Sequence, residues 1–404
     1  VPIQFDVDPT VAQLAASTSA FVREVVIPAE RACGGSVHDA PESLRETLQK
    51  GAREAGVFAP HVPTRWGGHG LDLRGQAVVF EAAGYSLLGP LALNCAAPDE
   101  GNMHLLEKVA TEDQKERYLR PLAAGEVRSC FAMTEPAPGA GADPRSLRTT
   151  ATRVPGGWRI DGRKWFISGA RGAGFAIVMA RTAGNPGDPG GATMFLVDAG
   201  TPGMTIVRDI ETLDEGLFAG HSEIVFDGCV VGDDQVLGAV GHGFEGAQIR
   251  LGPARMTHCM RWLGAARRAQ DAALERAGSR MAFGSVLGDL GMVQQMLADS
   301  EIDIEASRAL ILRTAWELDT GSAAAQLTSV SKTFVAEAVN RVVDRAVQIC
   351  GALGISAADA PLARLLREVR PFRIYDGPSE THRFAIARRA VRPYRQPSAG
   401  AAGA

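Results

Sequence analysis

The stretch Ser129-Cys130-Phe131-Ala132-Met133-Thr134-Glu135-Pro136, followed by Gly139-Ala140-Gly141-Ala142-Asp143, decides how the chain divides. It sets a β-rich run before a glycine-rich loop, and it ends a long helical region. Upstream, Thr10 is expected to cap a helix running to about Cys33. Pro41-Glu42-Ser43 opens another, with Leu44, Leu48, Ala52 and Ala55 recurring every three or four residues. Pro63-Thr64-Arg65-Trp66-Gly67-Gly68 reads as a turn, 72–88 and 100–110 as helices, and Thr111-Glu112-Asp113-Gln114 as a capping box before a short helix to Ala124. Downstream, the helical period is lost from Arg128 to Leu237. Strands are expected at 129–134, 147–154, 158–160, 164–167, 175–180, 193–197, 205–207 and 223–226, punctuated by Gly156-Gly157, Asp161-Gly162 and Asn185-Pro186-Gly187. This spacing predicts a compact antiparallel barrel or sandwich.

After Gly241 the helical period returns. Long amphipathic helices are expected over 244–277, over 286–320 (Leu290, Val293, Leu297, Ile304, Leu310, Ile311, Ala315, Leu318) and over 330–350 (Val335, Val339, Val342, Val343, Ala346, Ile349). The expected class is α+β multidomain. An N-terminal helical domain spans 1–127, a middle β-barrel domain 128–240, a C-terminal four-helix bundle 241–396 and a disordered tail 397–404.

Lys plus Arg is 42 and Asp plus Glu is 46, a net charge of −4, which argues against a bulk polycation for nucleic acid. No apolar run reaches membrane-span length, and residues 1–8 do not read as a signal peptide. The six cysteines lie far apart with no CxxC pair, so buried thiols in a reducing cytoplasm are expected, with no zinc site and no redox disulfide. HExxH, GxSxG, the P-loop and GxGxxG are all missing, and no metal is expected.

Three segments are candidates for chemistry. The strand into Gly139–Asp143 either lets backbone N–H groups approach a ligand or is a plain hairpin loop. Lys164-Trp165-Phe166-Ile167-Ser168 either offers aromatic and hydroxyl groups to a planar heterocycle or is a core strand. Tyr375-Asp376-Gly377 is either an Asx-turn or a carboxylate base aimed into a cleft. In addition, 361–395 holds nine Arg against three acids, a local net of +6, either an anion-binding face or a set of paired and solvated cations.

Taken together, these segments resemble the acyl-CoA dehydrogenase family of flavoproteins. Trp66-Gly67-Gly68-His69-Gly70-Leu71 is similar to its Gly-Gly-x-Gly-Leu turn, Met133-Thr134-Glu135-Pro136 to its Thr-Glu-Pro loop, and Trp165-Phe166-Ile167-Ser168 to its flavin-side strand. Arg280-Met281-Ala282-Phe283-Gly284 resembles the Arg-x-x-Phe-Gly turn, and Gln348-Ile349-Cys350-Gly351-Ala352-Leu353-Gly354 the Gln-x-x-Gly-x-x-Gly helix end. The run 94–103 and Asp376-Gly377-Pro378-Ser379-Glu380 resemble the branch whose eukaryotic members are fused to phosphotransferase-like domains.

The resemblance implies FAD, α,β-dehydrogenation of an acyl-CoA to the 2-enoyl-CoA in fatty acid metabolism, and a homotetramer or homodimer passing electrons to an electron-transfer flavoprotein. It implies that a carboxylate removes the α-proton while the β-hydrogen leaves as hydride to flavin N5. Asp376 would be that carboxylate. Phe131, Met133, Thr134, Phe166 and Ser168 would line the flavin ring. Arg280, Phe283, Gln348 and Gly351 would hold the pyrophosphate and adenosine of a neighbouring subunit's FAD, and Ser379 and Glu380 also fall in the cofactor set. Ala142, Arg255, Tyr375 and Gly377 would contact substrate.

The chain departs from the family pattern at several positions. The usual base is Glu, one carbon longer than Asp, about 1.5 Å of reach. Asp is found at this place in the branch just named and in nitroalkane oxidase, which makes a flavin oxidase or monooxygenase acting on a non-CoA carbon acid the alternative activity. A non-catalytic scaffold or nucleic-acid-binding relative using the Arg-rich end is a third. The position that carries the base on a helix in other branches is Ala254, Ala142 stands where many members have Ser in a loop that is here two residues longer, and Gly252 replaces a pantetheine-binding Asp.

Overall fold

The computed structural model describes residues 6–33, 40–214 and 220–395. The expected disordered tail, 397–404, lies outside them. Helix α1 (Pro9–Phe21) starts at Asp8, whose side chain accepts the Thr10 N–H, so the cap is Asp8 and not Thr10. It continues through a π turn at Val22–Val26 into Ile27–Ala32. α2 (Glu42–Glu54), α3 (Leu73–Gly84) and α4 (Asp99–Val109) follow. The Thr111–Gln114 capping box forms with both reciprocal bonds.

The middle of the chain folds into one mixed sheet. Its strands are β1 (Ser129–Ala132), β2 (Thr150–Val154), β3 (Gly157–Ser168), β4 (Phe175–Arg181), β5 (Ala192–Asp198), β6 (Met204–Ile210), β7 (His221–Gly232) and β8 (Val236–Leu237). Their order is β6-β7-β3-β2-β4-β5-β8, with β1 beside β4. The β1–β4 pairing is parallel, a departure from the all-antiparallel expectation. The β2–β3 hairpin is an excursion, after which the chain returns beside β1 in the same direction. The strands expected at 158–160 and 164–167 are one strand, β3. Asp161-Gly162 makes a register shift against β7 instead of a turn, and a Cβ on Gly162 would sit 2.5 Å from Thr149 Oγ1. β2 starts at Thr150 and not at 147; a 3-10 turn occupies Pro144–Ser146, and the N–H groups of Arg148 and Thr149 are taken by the Glu135 carboxylate.

β4 and β5 are buried on both faces, which explains their unbroken apolar runs. Successive side chains point to opposite faces. Phe175, Ile177, Met179, Met194 and Leu196 therefore join the core formed with the helices. Ala176, Val178, Ala180, Phe195 and Val197 fill a separate core within the β unit.

α5 (Gly243–Ser279) carries the chain from the sheet into a bundle completed by α6 (Gly291–Asp319), α7 (Ala325–Cys350), α8 (Leu362–Val369) and α9 (Ser379–Val391). Its first residue docks on β5, where a Cβ on Gly243 would lie 2.9 Å from the Ala192 backbone. Further along it crosses α3 at a pair of glycines. A Cβ on Gly84 would fall 2.0 Å from Arg261 O, and one on Gly264 would fall 2.1 Å from Glu81 O. Backbone meets backbone there, so no side-chain rotation relieves the clash. Gly264→Ala is expected to destabilise the fold by about 1–3 kcal/mol, read as a lower urea midpoint. A midpoint equal to wild type would show that the helices part without cost.

Candidate active site

The Thr134-Glu135-Pro136 loop is built around a buried carboxylate. Glu135 accepts from the backbone N–H of Arg148 (2.7 Å) and Thr149 (2.8 Å), and from Lys164 Nζ (2.8 Å). Lys164 Nζ also donates to Met133 O at 3.0 Å. Burial pushes the Glu135 carboxyl up, and the charge and hydrogen bond of Lys164 together with the hydrogen bonds from Thr149 more than offset it, leaving Glu135 below its ordinary value. Thr134 Oγ1 donates to Trp165 O (2.6 Å), and Trp165 N–H donates to Thr134 O (3.1 Å). These bonds hold Phe131, Met133, Thr134, Phe166 and Ser168 on adjoining strand ends.

Phe166 leaves 45% of its surface exposed and has φ 52°. Its Ser168 neighbour contacts His221 Nδ1 at 2.9 Å, and His221 Nε2 lies 3.0 Å from Asp214 Oδ2.

On the bundle side, Asp376 follows the 3-10 turn Arg370–Arg373. Its φ is 53°, a left-handed conformation that Asp tolerates better than most residues, and Gly377 follows at φ 100°. A Cβ on Gly377 would come within 2.8 Å of His382 Nε2, so glycine is required. Three side chains hold this backbone. Arg255 Nε (2.9 Å) and His382 Nε2 (3.1 Å) donate to Asp376 O, and Lys332 Nζ donates to Phe372 O (2.8 Å) and Gly377 O (2.9 Å). Lys332 is fully buried, and burial pulls its pKa down to about 8.

The Asp376 side chain is largely buried, 16% exposed, and its Oδ2 is shielded from solvent. Its Oδ2 lies 3.3 Å from His258 Nε2 but has no donor at hydrogen-bond geometry, so Oδ2 does not close an Asx-turn. Burial pushes its pKa up. The groups around it, His258, Arg250, Arg255 and Lys332, more than offset this and leave it below the ordinary carboxylate value. Arg250 also stacks 4.3 Å over the Phe131 ring and donates to Asn102 Oδ1 at 2.7 Å. It therefore ties α5 to α4 and to β1. Of the six non-glycine residues with positive φ among the described residues, Phe166, Phe283 and Asp376 are all in the candidate site set.

The other candidates lie further out. Arg280 and Phe283 follow α5, and Gln348 and Gly351 close α7 at the same end of the bundle, where Cys350 Sγ packs on Ala272 O. Phe283 is 96% exposed. Ser379 is buried at the start of α9, whereas Glu380 is exposed and reaches Arg383. Ala142 is exposed on the loop, and Tyr375 accepts a hydrogen bond from Trp262. Sequence reasoning missed Arg250, His258, Lys332 and His382. For His258 a signal was present, since it stands one helical turn after Ala254 and Arg255 on the same helix. A cavity of about 550 Å³ lined by residues including Ala15, Val22, Ala77, Val78, Leu263 and Ile311 lies apart from this junction, and none of its walls belongs to the site set.

A helical unit, a β unit and a bundle meeting at a buried carboxylate define an oxidoreductase of the acyl-CoA dehydrogenase fold. Family models match along the chain: acyl-CoA dehydrogenase N-terminal domain over 8–126, middle domain over 130–229 and C-terminal domain over 241–391. The chain belongs to the acyl-CoA dehydrogenase family. It is 40% identical over 382 residues to the probable acyl-CoA dehydrogenase FadE2 of Mycobacterium tuberculosis, covering 92% of each chain. It is 35% identical to acyl-CoA dehydrogenase family member 11 of Gallus gallus, covering 91% of this chain and 49% of that protein, so it spans about half of that relative's length. A solved structure of a candidate acyl-CoA dehydrogenase from Mycobacterium abscessus superposes with TM-score 0.90 at 35% identity, covering 97% of this chain and 100% of that one.

Proposed function

We propose that this protein is an FAD-dependent acyl-CoA dehydrogenase that converts a saturated acyl-CoA thioester to the 2-enoyl-CoA, with Asp376 as the base for the α-proton. The observation that carries this reading is the largely buried Asp376 carboxylate, on strained backbone that three side chains hold in place, with an Oδ2 that no donor among the described residues meets at hydrogen-bond geometry.

FAD is the cofactor. The residues present suit it: an open aromatic face at Phe166, a half-buried Phe131 and hydroxyls at Thr134 and Ser168 stand at the junction. Phe131, Met133, Thr134, Phe166 and Ser168 hold its ring. Arg280, Phe283, Gln348 and Gly351 serve its pyrophosphate and adenosine from a neighbouring subunit, and Ser379 and Glu380 belong to the same set. Bound FAD supplies the acceptor for the β-hydride. Ala142, Arg255, Tyr375 and Gly377 face substrate.

The chain's own contribution is alignment and charge. A proton beside a thioester carbonyl is weakly acidic, so the base must be ionised and held within hydrogen-bond reach. The lowered pKa keeps Asp376 ionised throughout the neutral range. Arg255, by gripping Asp376 O, fixes where the carboxylate starts.

A homotetramer is part of the same proposal, supported by exposed Phe283, Met292, Phe384 and Tyr394. An electron-transfer flavoprotein is the proposed acceptor, and the cytoplasm the proposed location, consistent with six free cysteines. No helix among the described residues is long and apolar enough to cross a membrane. The domain limits at 127/128 and 240/241 are proposed with it.

The test is an anaerobic panel of acyl-CoA esters of differing length and branching. At least one ester is expected to bleach the flavin. Peroxide release with a nitroalkane, and no response to any CoA ester, would overturn the dehydrogenase reading.

A further inference from the structure

The shorter base raises a geometric problem, because a carboxylate one carbon back has to be aimed without the reach of Glu. The structure places an imidazole against it. His258, on α5, puts Nε2 3.3 Å from Asp376 Oδ2. Its other nitrogen, Nδ1, lies 3.3 Å from an Arg261 guanidinium nitrogen. A guanidinium has only donors, so Nδ1 accepts and the proton of a neutral ring sits on Nε2, facing the carboxylate. Arg261 is itself fixed, donating to Cys95 O at 2.9 Å and lying 3.5 Å from Glu100 Oε2. The ring packs on Tyr375 (centroids 4.9 Å apart) and Phe372 (6.1 Å), which limits its rotation.

We infer that His258 is a positioning residue for Asp376: a neutral imidazole, its tautomer set by Arg261, whose Nε2–H faces Oδ2 and donates to it in the reacting complex, aiming the short carboxylate at the substrate α-carbon. This rests on the reading of Asp376 as the base and deepens it. At 3.3 Å the approach falls outside hydrogen-bond geometry, and catalytic contacts of this kind tighten in the reacting complex. Burial pulls the His258 pKa down to about 4, so the ring is neutral at working pH.

The charged and titratable groups facing this pair are Arg250, Arg255 and Arg261 on α5, Glu100 on α4, Lys332 on α7, Tyr375 beside Asp376, and His382 on α9. Among the described residues, Arg255, Lys332 and His382 direct their donors to the backbone carbonyls of this turn and not to the Asp376 carboxylate. His258 Nε2, 3.3 Å from Oδ2, is therefore the donor placed to orient the side chain once that contact closes to hydrogen-bond geometry.

The sign of the pH effect follows. A donor to the ionised form lowers a carboxyl pKa, so removing it raises that pKa, and the acid limb of the bleaching rate moves to higher pH. In the FAD-loaded protein, His258→Leu is expected to lose about 10–100-fold in the bleaching rate at saturating acyl-CoA, to move the acid limb up by about one pH unit, and to leave the half-saturating concentration little changed. His258→Gln, which carries an amide N–H near the Nε2 position, is expected to recover most of the rate and the wild-type limb.

A wild-type limb and rate in His258→Leu would overturn the inference. So would equal impairment of both variants with no movement of the limb, the signature of packing alone. Histidine ¹⁵N spectra of the wild-type holoenzyme, with His258 assigned through the Gln variant, test the same claim without turnover. A neutral Nε2–H ring from pH 5 to 9 is expected, and an imidazolium or an Nδ1–H ring would contradict it. Failure of the base reading looks different, because Asp376→Asn would then still bleach whatever His258 does.

Discussion

Asp376→Asn is expected to bind FAD as wild type does and to lose flavin bleaching by acyl-CoA, with a rate at least about 10²–10⁴-fold lower. Asn is nearly isosteric with Asp but cannot take up a proton. The turn should survive the change, because Arg255, His382 and Lys332 bond to the Asp376 and Gly377 carbonyls and not to the side chain. The position just before Arg255 is Ala254, so no carboxylate there can take over the role. The loss therefore falls on chemistry and not on folding. Rapid-mixing absorbance of both proteins at matched FAD content measures it, and bleaching of the Asn variant at the wild-type rate would exclude Asp376 as the base.

The second large effect concerns stability. Glu135→Ala is expected to destabilise the protein by about 3–5 kcal/mol, because it leaves an unpaired ammonium in the core of the β unit. Lys164 and Glu135 have side-chain exposures of 0% and 3%, and the same carboxylate accepts the N–H groups of Arg148 and Thr149. With it gone, the loop carrying Thr134 loses its internal anchor, so weaker FAD retention should accompany the lower denaturation midpoint. Glu135→Ala combined with Lys164→Met is expected to recover part of the loss, because no buried charge then remains unpaired. A single variant with a wild-type midpoint would show that solvent reaches Lys164.

What could be read in advance depended on the range of the interactions involved. The Thr111–Gln114 capping box was legible because both of its hydrogen bonds close within four residues. β4 was legible because a strand buried on both faces needs a continuous apolar run. Asp161-Gly162 misled because the dipeptide suits a hairpin turn and a strand irregularity equally well. The choice was made by β7 and Thr149, which lie elsewhere in the chain.

The same distinction holds within the site. Asp376 was singled out from its motif and resemblance, and its Tyr-Asp-Gly context alone reads as an ordinary turn. Lys332 and His382 carried no local pattern, since their roles arise only when the 372–377 segment docks against α7 and α9. His258 could have been found by following the face of α5 one turn past Arg255. The Glu135 cage was hidden inside a motif whose glycines and Thr drew attention, while its carboxylate held the loop together.

The proposed reaction is oxidation of the α,β bond of an acyl thioester with Asp376 as the base. The most direct measurement is a single anaerobic turnover of the FAD-loaded protein with an accepted acyl-CoA, with CoA esters separated and weighed by mass spectrometry. The account predicts one 2-enoyl-CoA, two hydrogens lighter than the substrate, for each flavin bleached. Bleaching without enoyl-CoA, or recovery of the substrate unchanged beside a fully oxidised flavin for every ester supplied, would contradict it.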